Sequence, residues 1–199
     1  MQSSFWLNKI NVLERELLLT GIGGQGVQLA AQVIAKAAIV AGREVQVFGS
    51  YGGMMRGGPT DATVVIGDGP IEAPPTVTNG WSAVLVHPDH ARPALERVRP
   101  DGVVLFNATL FPEIPRAAAI GIPATALGGA PVNASLVLVG AYLAITGLVT
   151  LDDALAAVDD ALPSYRRQHA AGCRDALRTG YDAAPPERIG AWTIAAGAR

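Results

Sequence analysis

Gly21-Ile22-Gly23-Gly24-Gln25-Gly26 stands between Leu17, Leu18 and Leu19 on one side and an alanine-rich segment on the other. That segment carries Val27, Ala30, Ala31, Ile34 and Ala38 at helical spacing. A strand that runs into a glycine turn and then into a helix is the opening unit of an α/β sheet. Glycines at these spacings let the chain turn sharply, approach a ligand closely and direct unpaired N–H groups at an anion from a helix N-terminus. Gly21, Gly23, Gly24, Gln25 and Gly26 therefore read as a pocket floor, with a tight strand-to-helix turn as the plainer alternative. Gln25 favours the pocket, because a long amide among glycines offers a donor and an acceptor to a polar ligand. The spacing also satisfies G-x-G-x-x-G, a dinucleotide pattern that needs an acidic residue at the end of the next strand. That strand, residues 44–48, ends in Gly49-Ser50-Tyr51, and its one carboxylate, Glu44, lies at the wrong end.

A second glycine-rich loop, Ser50-Tyr51-Gly52-Gly53-Met54-Met55-Arg56-Gly57-Gly58, follows that strand directly. The two loops are expected at the same carboxyl edge, on neighbouring parallel strands, where open α/β sheets bind ligands. Ser50, Tyr51, Gly52, Arg56, Gly57 and Gly58 thus join the candidate site. Arg56 is either a solvated loop arginine or a forked donor for a carboxylate or phosphate, and the flanking glycines favour the second reading.

With these loops the chain resembles the gamma subunit, or gamma domain, of the 2-oxoacid:ferredoxin oxidoreductases of the pyruvate, 2-oxoglutarate and phenylglyoxylate type. The shared features are G-x-G-G-Q-G, S-Y-G-x-x-x-R-G-G and the segment Asn133-Ala134-Ser135-Leu136-Val137-Leu138-Val139-Gly140-Ala141. The resemblance runs from about residue 17 to 181. It implies a non-autonomous subunit of an enzyme that converts a 2-oxoacid and coenzyme A to acyl-CoA and carbon dioxide, with electrons passed to ferredoxin or a similar acceptor. It further implies thiamine diphosphate, magnesium, 4Fe–4S clusters and coenzyme A in the complex, none held by this chain alone. The implied partners are thiamine-binding alpha and beta subunits, a ferredoxin-like delta subunit and an external acceptor. Asn133 reads as a plain N-cap from the residues, and the resemblance adds it to the cofactor-binding set. Relatives often carry an acidic residue in the stretch that is Gly53-Met54-Met55 here, so any role of that carboxylate does not transfer. The alternatives are a stand-alone nucleotide- or coenzyme A-binding α/β module and a purely structural subunit.

Composition agrees with a subunit. The chain has 199 residues, enough for one domain with a real core; half are hydrophobic and 16% charged, which suggests surface covered by partners. A net charge of −2 gives no basic stripe and argues against nucleic acid. Cys173 is the sole cysteine, so a set of four thiolates for a cluster must come from elsewhere. Residues 1–15 do not read as a signal peptide, and the apolar stretch 136–149 is too short for a bilayer, which makes a cytoplasmic location the default.

The chain reads as α/β, a three-layer α/β/α arrangement with a mostly parallel sheet and a helical C-terminal third. Strands are expected near 16–20, 44–48, 60–66, 83–86, 102–106 and 122–127, and helices near 26–41, 91–97, 132–146, 151–161 and 166–181. The domain spans 16–183, after an N-terminal extension 1–15 and before a C-terminal arm 184–199. Three groupings have plainer readings. Gly67-Asp68-Gly69 invites comparison with the opening of a thiamine diphosphate motif, but no Asn-Asn sequence follows at a suitable distance and it reads as a turn. His87, Asp89 and His90 lack a second ligand pair for a metal. His169 and Cys173, four apart, read as helix packing. No nucleophile, base and orienting group come together, so no catalytic residue is assigned.

Overall fold

A computed structural model describes residues 12–51, 57–72, 76–114, 116 and 119–192, with the backbone alone at Ser50 and Tyr51. Six strands form one sheet: β1 (Glu14–Ile22), β2 (Glu44–Tyr51), β3 (Pro59–Gly67), β4 (Gly80–Leu85), β5 (Val98–Asn107) and β6 (Ala119–Ile122), in the order β2-β3-β1-β4-β5-β6. β1, β4, β5 and β6 pair in parallel, while β3 runs antiparallel to both β1 and β2.

The first correction to the sequence reading lies here. β1 and β2 share a direction but are not neighbours, because β3 is inserted between them, with Thr60 opposite both Gly21 and Tyr51. Chain length decides this. Only residues 52–58 connect β2 to β3, whereas a parallel crossover takes a dozen residues or more. The two glycine loops still leave the same edge, with the start of β3 between them.

Helix α1 (Val27–Val40) links β1 to β2 across one face of the sheet. On the same face lie α3 (Ala124–Gly128), α4 (Ala134–Thr146), α5 (Leu151–Ala161) and α6 (Ala170–Asp182). The alternation of the strands sorts their side chains: Leu17, Leu19, Val64, Val84, Val103 and Leu105 pack under these helices. Leu18, Val65, Ala83, Leu85 and Val104 face the other way, onto the single turn of α2 (Arg92–Leu95) and onto Phe111 and Ile114. The sheet is thus mostly parallel between two unequal layers, and the thick layer is the helical C-terminal third. Every residue of α4 is buried, the outcome for a helix that is apolar all round. Each buried Leu, Val or Ile there contributes roughly 1.5–3 kcal/mol. No helix among the described residues is long and apolar enough to cross a membrane.

A second correction concerns residues 122–127. The strand lies earlier, at Ala119–Ile122, and after Pro123 the chain forms α3. Pro123 cannot supply the N–H that a continuing strand needs, but its carbonyl accepts from Leu127 N–H at 3.0 Å and so opens the helix. At its other end, β1 begins two residues inside the stretch expected as an extension. Arg15, 7% exposed, donates from Nε to the carbonyl of Ala191 and lies 4.8 Å from the Trp81 ring centroid. The chain after α6 returns to this edge, where Ile189 and Ala191 N–H donate to the carbonyls of Ile145 and Thr146, each at 2.7 Å. Beneath them Tyr142, fully buried, meets Ser82 Oγ at 2.9 Å, and burial pushes its hydroxyl pKa well above the ordinary tyrosine value.

Candidate functional site at the carboxyl edge of the sheet

The connection from β1 crosses one face of the sheet and the connection from β4 crosses the other, so the strand order reverses between them. Ligands of open α/β sheets bind in the crevice at such a reversal. Here it lies between the turn after β1 and the segment that follows β4. The two sides are tied together: Val86 N–H donates to Thr20 O at 2.8 Å, and Thr20 Oγ1 donates to the carbonyl of His90 at 3.2 Å.

The turn is built by its own residues. Gly21 is buried, and a Cβ there would lie 2.8 Å from Gln25 Oε1 and 3.1 Å from the Val86 side chain. Gly24 and Gly26 have φ of +100° and +81°, the left-handed region that side chains disfavour. At Gly26 a Cβ would also meet the carbonyl of Val132 at 2.6 Å. Gln25 is 4% exposed, and its Oε1 accepts from Ile22 N–H at 3.0 Å. The acceptor end of this amide therefore closes the turn, while Nε2 makes no hydrogen bond among the described residues. Gly23 and Gly24 form the open part of the turn, half-buried and exposed.

The second loop meets the first. Gly23 N–H donates to the carbonyl of Gly58 at 2.9 Å, which stitches the end of one glycine segment to the crown of the other. Gly57 has φ +74° with open space around it, and Gly58 is buried. Ser50 and Tyr51 finish β2 opposite Asp61 and Thr60. Gly52 and Arg56 lie outside the described residues, as do Gly53, Met54 and Met55. Asn133 closes the 3-10 turn Pro131–Asn133 before α4. It makes no side-chain cap, and Nδ2 donates to the carbonyl of Gly128 at 2.9 Å.

Three polar residues support this edge that the sequence did not single out. Ser135, fully buried in the first turn of α4, donates from Oγ to the carbonyl of Gln25 at 2.6 Å and pins the glycine turn to that helix. Gln28 of α1 donates from Nε2 to Asp61 O at 2.8 Å, and its Oε1 lies 2.8 Å from where a Cβ on Gly49 would be. Asn107 ends β5 with every hydrogen-bonding direction used. Its Nδ2 donates to Val86 O and Thr125 Oγ1, and its Oδ1 accepts from the N–H groups of Thr109 and Thr125. A polar residue that closes an apolar strand was the available signal.

The plainer readings have plain geometries. Asp68 Oδ1 accepts from Leu13 N–H at 2.7 Å in the turn after β3, at the amino edge of β1 and far along the strands from the glycine loops. His87 Nδ1 accepts from Asp89 N–H at 3.3 Å and caps the 3-10 turn Pro88–His90. Cys173 is buried, and burial pushes its thiol pKa up, offset in part by Arg174, so it packs as a neutral thiol.

The fold and the paired glycine turns define a class: an α/β domain whose carboxyl edge, at the strand reversal, is built from backbone groups rather than from acid–base side chains. Residues 16–183 match the family model described as pyruvate ferredoxin/flavodoxin oxidoreductase. The chain is 34% identical over 155 residues to a pyruvate synthase subunit PorC of Methanothermobacter marburgensis, covering 74% of this chain and 86% of that one. A 2-oxoglutarate synthase subunit KorC of Methanocaldococcus jannaschii is 29% identical, with 79% and 89% covered. The crystal structure of a keto/oxoacid ferredoxin oxidoreductase gamma subunit from Geobacter sulfurreducens superposes with a TM-score of 0.69 at 26% identity, over 85% of this chain and 95% of that one. The chain belongs to the pyruvate ferredoxin/flavodoxin oxidoreductase family, as a gamma subunit that is not an autonomous enzyme.

Proposed function

We propose that this gamma subunit shapes the reaction centre of a 2-oxoacid:acceptor oxidoreductase whose reactive groups sit on other chains. The partners in this reading are thiamine-binding alpha and beta subunits and a ferredoxin-like delta subunit, in the cytoplasm, with ferredoxin or a similar carrier as acceptor. Thiamine diphosphate with magnesium supplies the electron sink for decarboxylation, and 4Fe–4S clusters supply electron transfer. This chain's residues do not fit either group: one buried thiol cannot ligate a cluster, and Asp68 is engaged in a turn at the opposite edge. Its contribution is positional. Gly21, Gly23, Gly24, Gln25, Gly26, Ser50, Tyr51, Gly52, Arg56, Gly57, Gly58 and Asn133 line or support a surface that orients coenzyme A or the cofactor region of a partner.

The observation that supports this reading best is the bond from Gly23 N–H to Gly58 O, which joins the end of the second glycine segment to the first at the reversal point of the sheet. Backbone N–H groups and one guanidinium fit an anionic group and do not fit acid–base chemistry. Arg56→Ala tests it. An intact complex that has lost about tenfold or more of its turnover, on the scale of one charged hydrogen bond, is the expected result. Unchanged turnover in an intact complex would remove Arg56 from the site, and a dissociated complex would make the loop an interface only.

A further inference from the structure

Beside the glycine turn, on the helical face, lies an open cleft of about 600 Å³. Leu29 of α1, Val132, Leu162 and Cys173 line it with apolar atoms, and Arg166 and His169 stand among its polar lining residues. Val132 is 49% exposed, and its carbonyl lies 2.6 Å from where a Cβ on Gly26 would be, so cleft and turn share a wall. Tyr165 is 71% exposed, with the Arg166 guanidinium 5.6 Å from its ring centroid.

The residues that line this cleft include Arg166 and His169 and no carboxylate. Residues 162–173, Leu-Pro-Ser-Tyr-Arg-Arg-Gln-His-Ala-Ala-Gly-Cys, contain Arg166, Arg167 and His169 and no carboxylate, in a chain whose net charge is −2. Flanking arginines are neutralised, Arg174 by Asp159 and Arg178 by Asp175. Arg166 and Arg167 have no carboxylate partner among the described residues. Residues 1–11, 52–56, 73–75, 115, 117–118 and 193–199 hold no Asp or Glu, so they offer no side-chain carboxylate either.

We infer that the face formed by residues 162–173 and Val132 is the docking surface for an acidic segment of another subunit of the complex, one that seats an apolar side chain in the cleft and sets its carboxylates against Arg166 and Arg167. An apolar floor with a cationic, aromatic rim is the anatomy of a protein interface, and complementary charge sets its register and its encounter rate. Because the cleft shares Val132 with the wall of the glycine turn, such a segment fixes the turn relative to the partner that holds the chemistry. This inference rests on the reading of the chain as a complexed subunit.

The test is the double reversal Arg166→Glu/Arg167→Glu in the full chain, co-expressed with its partner subunits, against Arg166→Lys/Arg167→Lys as the charge-preserving control. The reversal is expected to weaken retention of this chain about tenfold or more at moderate ionic strength while the lysine pair is retained. Hydrogen exchange of residues 163–172 in the wild-type chain, free and in the complex, gives a readout that needs no variant, and protection in the complex is expected. Retention of the reversed chain equal to wild type, with no protection of 163–172, overturns the inference. Self-association of the isolated wild-type chain that the reversal abolishes also overturns it, by assigning the face to a second copy. A chain that joins no complex at all defeats the proposed function, whereas a chain that joins without using this face defeats only this inference.

Discussion

At residues 21–26 glycine supplies backbone torsions, whereas at the crossing of α4 and α6 it supplies the absence of a side chain. Gly24 and Gly26 adopt positive φ, which the turn requires whatever lies around it. Gly140 and Gly180 have ordinary helical torsions, yet a Cβ on Gly140 would land on the carbonyl of Leu177, and one on Gly180 on the carbonyl of Val137. Each helix presents a glycine to the backbone of the other, so the two axes come closer than any pair of side chains would allow. The first use of glycine is local and the second is wholly tertiary. They meet in α4, whose first turn carries Ser135 onto the glycine turn and whose middle is locked against α6.

Three glycine substitutions separate the two uses, and a fourth substitution probes the helix where they meet. Gly180→Ala should have the largest effect: the gain in helix propensity of about 1 kcal/mol is overwhelmed by backbone overlap that no rotamer relieves, for a net loss of roughly 3 kcal/mol or more. A thermal or urea melt of the purified chain reads it, and an unchanged midpoint would show that the helices do not touch here. Gly26→Ala combines the unfavourable φ with a contact on Val132 O, and a loss of about 2–3 kcal/mol is expected. Under the proposed function, in which the turn belongs to the site, a fall in turnover of the complex should accompany the fall in stability.

Tyr142→Phe tests the anchoring of α4 to the sheet. It leaves Ser82 Oγ without the hydroxyl that it meets, at a cost of about 1–2 kcal/mol. It also has a pH signature. The folded-state pKa of Tyr142 is raised by burial, so the native state keeps a proton that the unfolded chain gives up near the ordinary value of 10.0. The stabilisation linked to that proton is present below this value and declines as pH rises above it. The wild-type chain should therefore lose stability more steeply above about pH 10 than Tyr142→Phe, and parallel curves would sink the assignment. Gly24→Ala should have the smallest effect, about 1 kcal/mol, since a Cβ there meets nothing within 4 Å. A loss as large as that at Gly26 would mean that the two positions differ less than their surroundings do.

Much of this architecture was legible in order and type. The glycine turn between a buried strand and an alanine-rich helix, the apolar helix α4 and the amphipathic α5 follow from short-range patterns. Thr150 caps α5 by accepting from Asp153 N–H at 3.1 Å, as a threonine three residues before an aspartate suggests. The direction of β3 was also implicit in the shortness of 52–58, but the shared glycine loops drew attention to β1 and β2 as neighbours. Residues 122–127 misled because Ile122, Ala124 and Ala126 alternate, and the restraint imposed by Pro123 outweighs that pattern. Among site residues, glycines with a torsional role stood out at once. Ser135, Gln28 and Asn107 did not, because each gains its role from a chain segment remote in sequence.

The sequence by itself determined where the chain turns, which segments are apolar enough to be buried and which family's loops it carries. These rest on torsional limits and on periodicity, which act over a few residues. The tertiary structure alone decided that β3 separates the two loops and that Gly23 is bonded to Gly58. It also decided that the amide of Gln25 turns inward and that Gly140 and Gly180 bring two helices into contact. Each of these depends on which distant atom arrives at a given point, and that is fixed only when the whole sheet and its helical layer have packed.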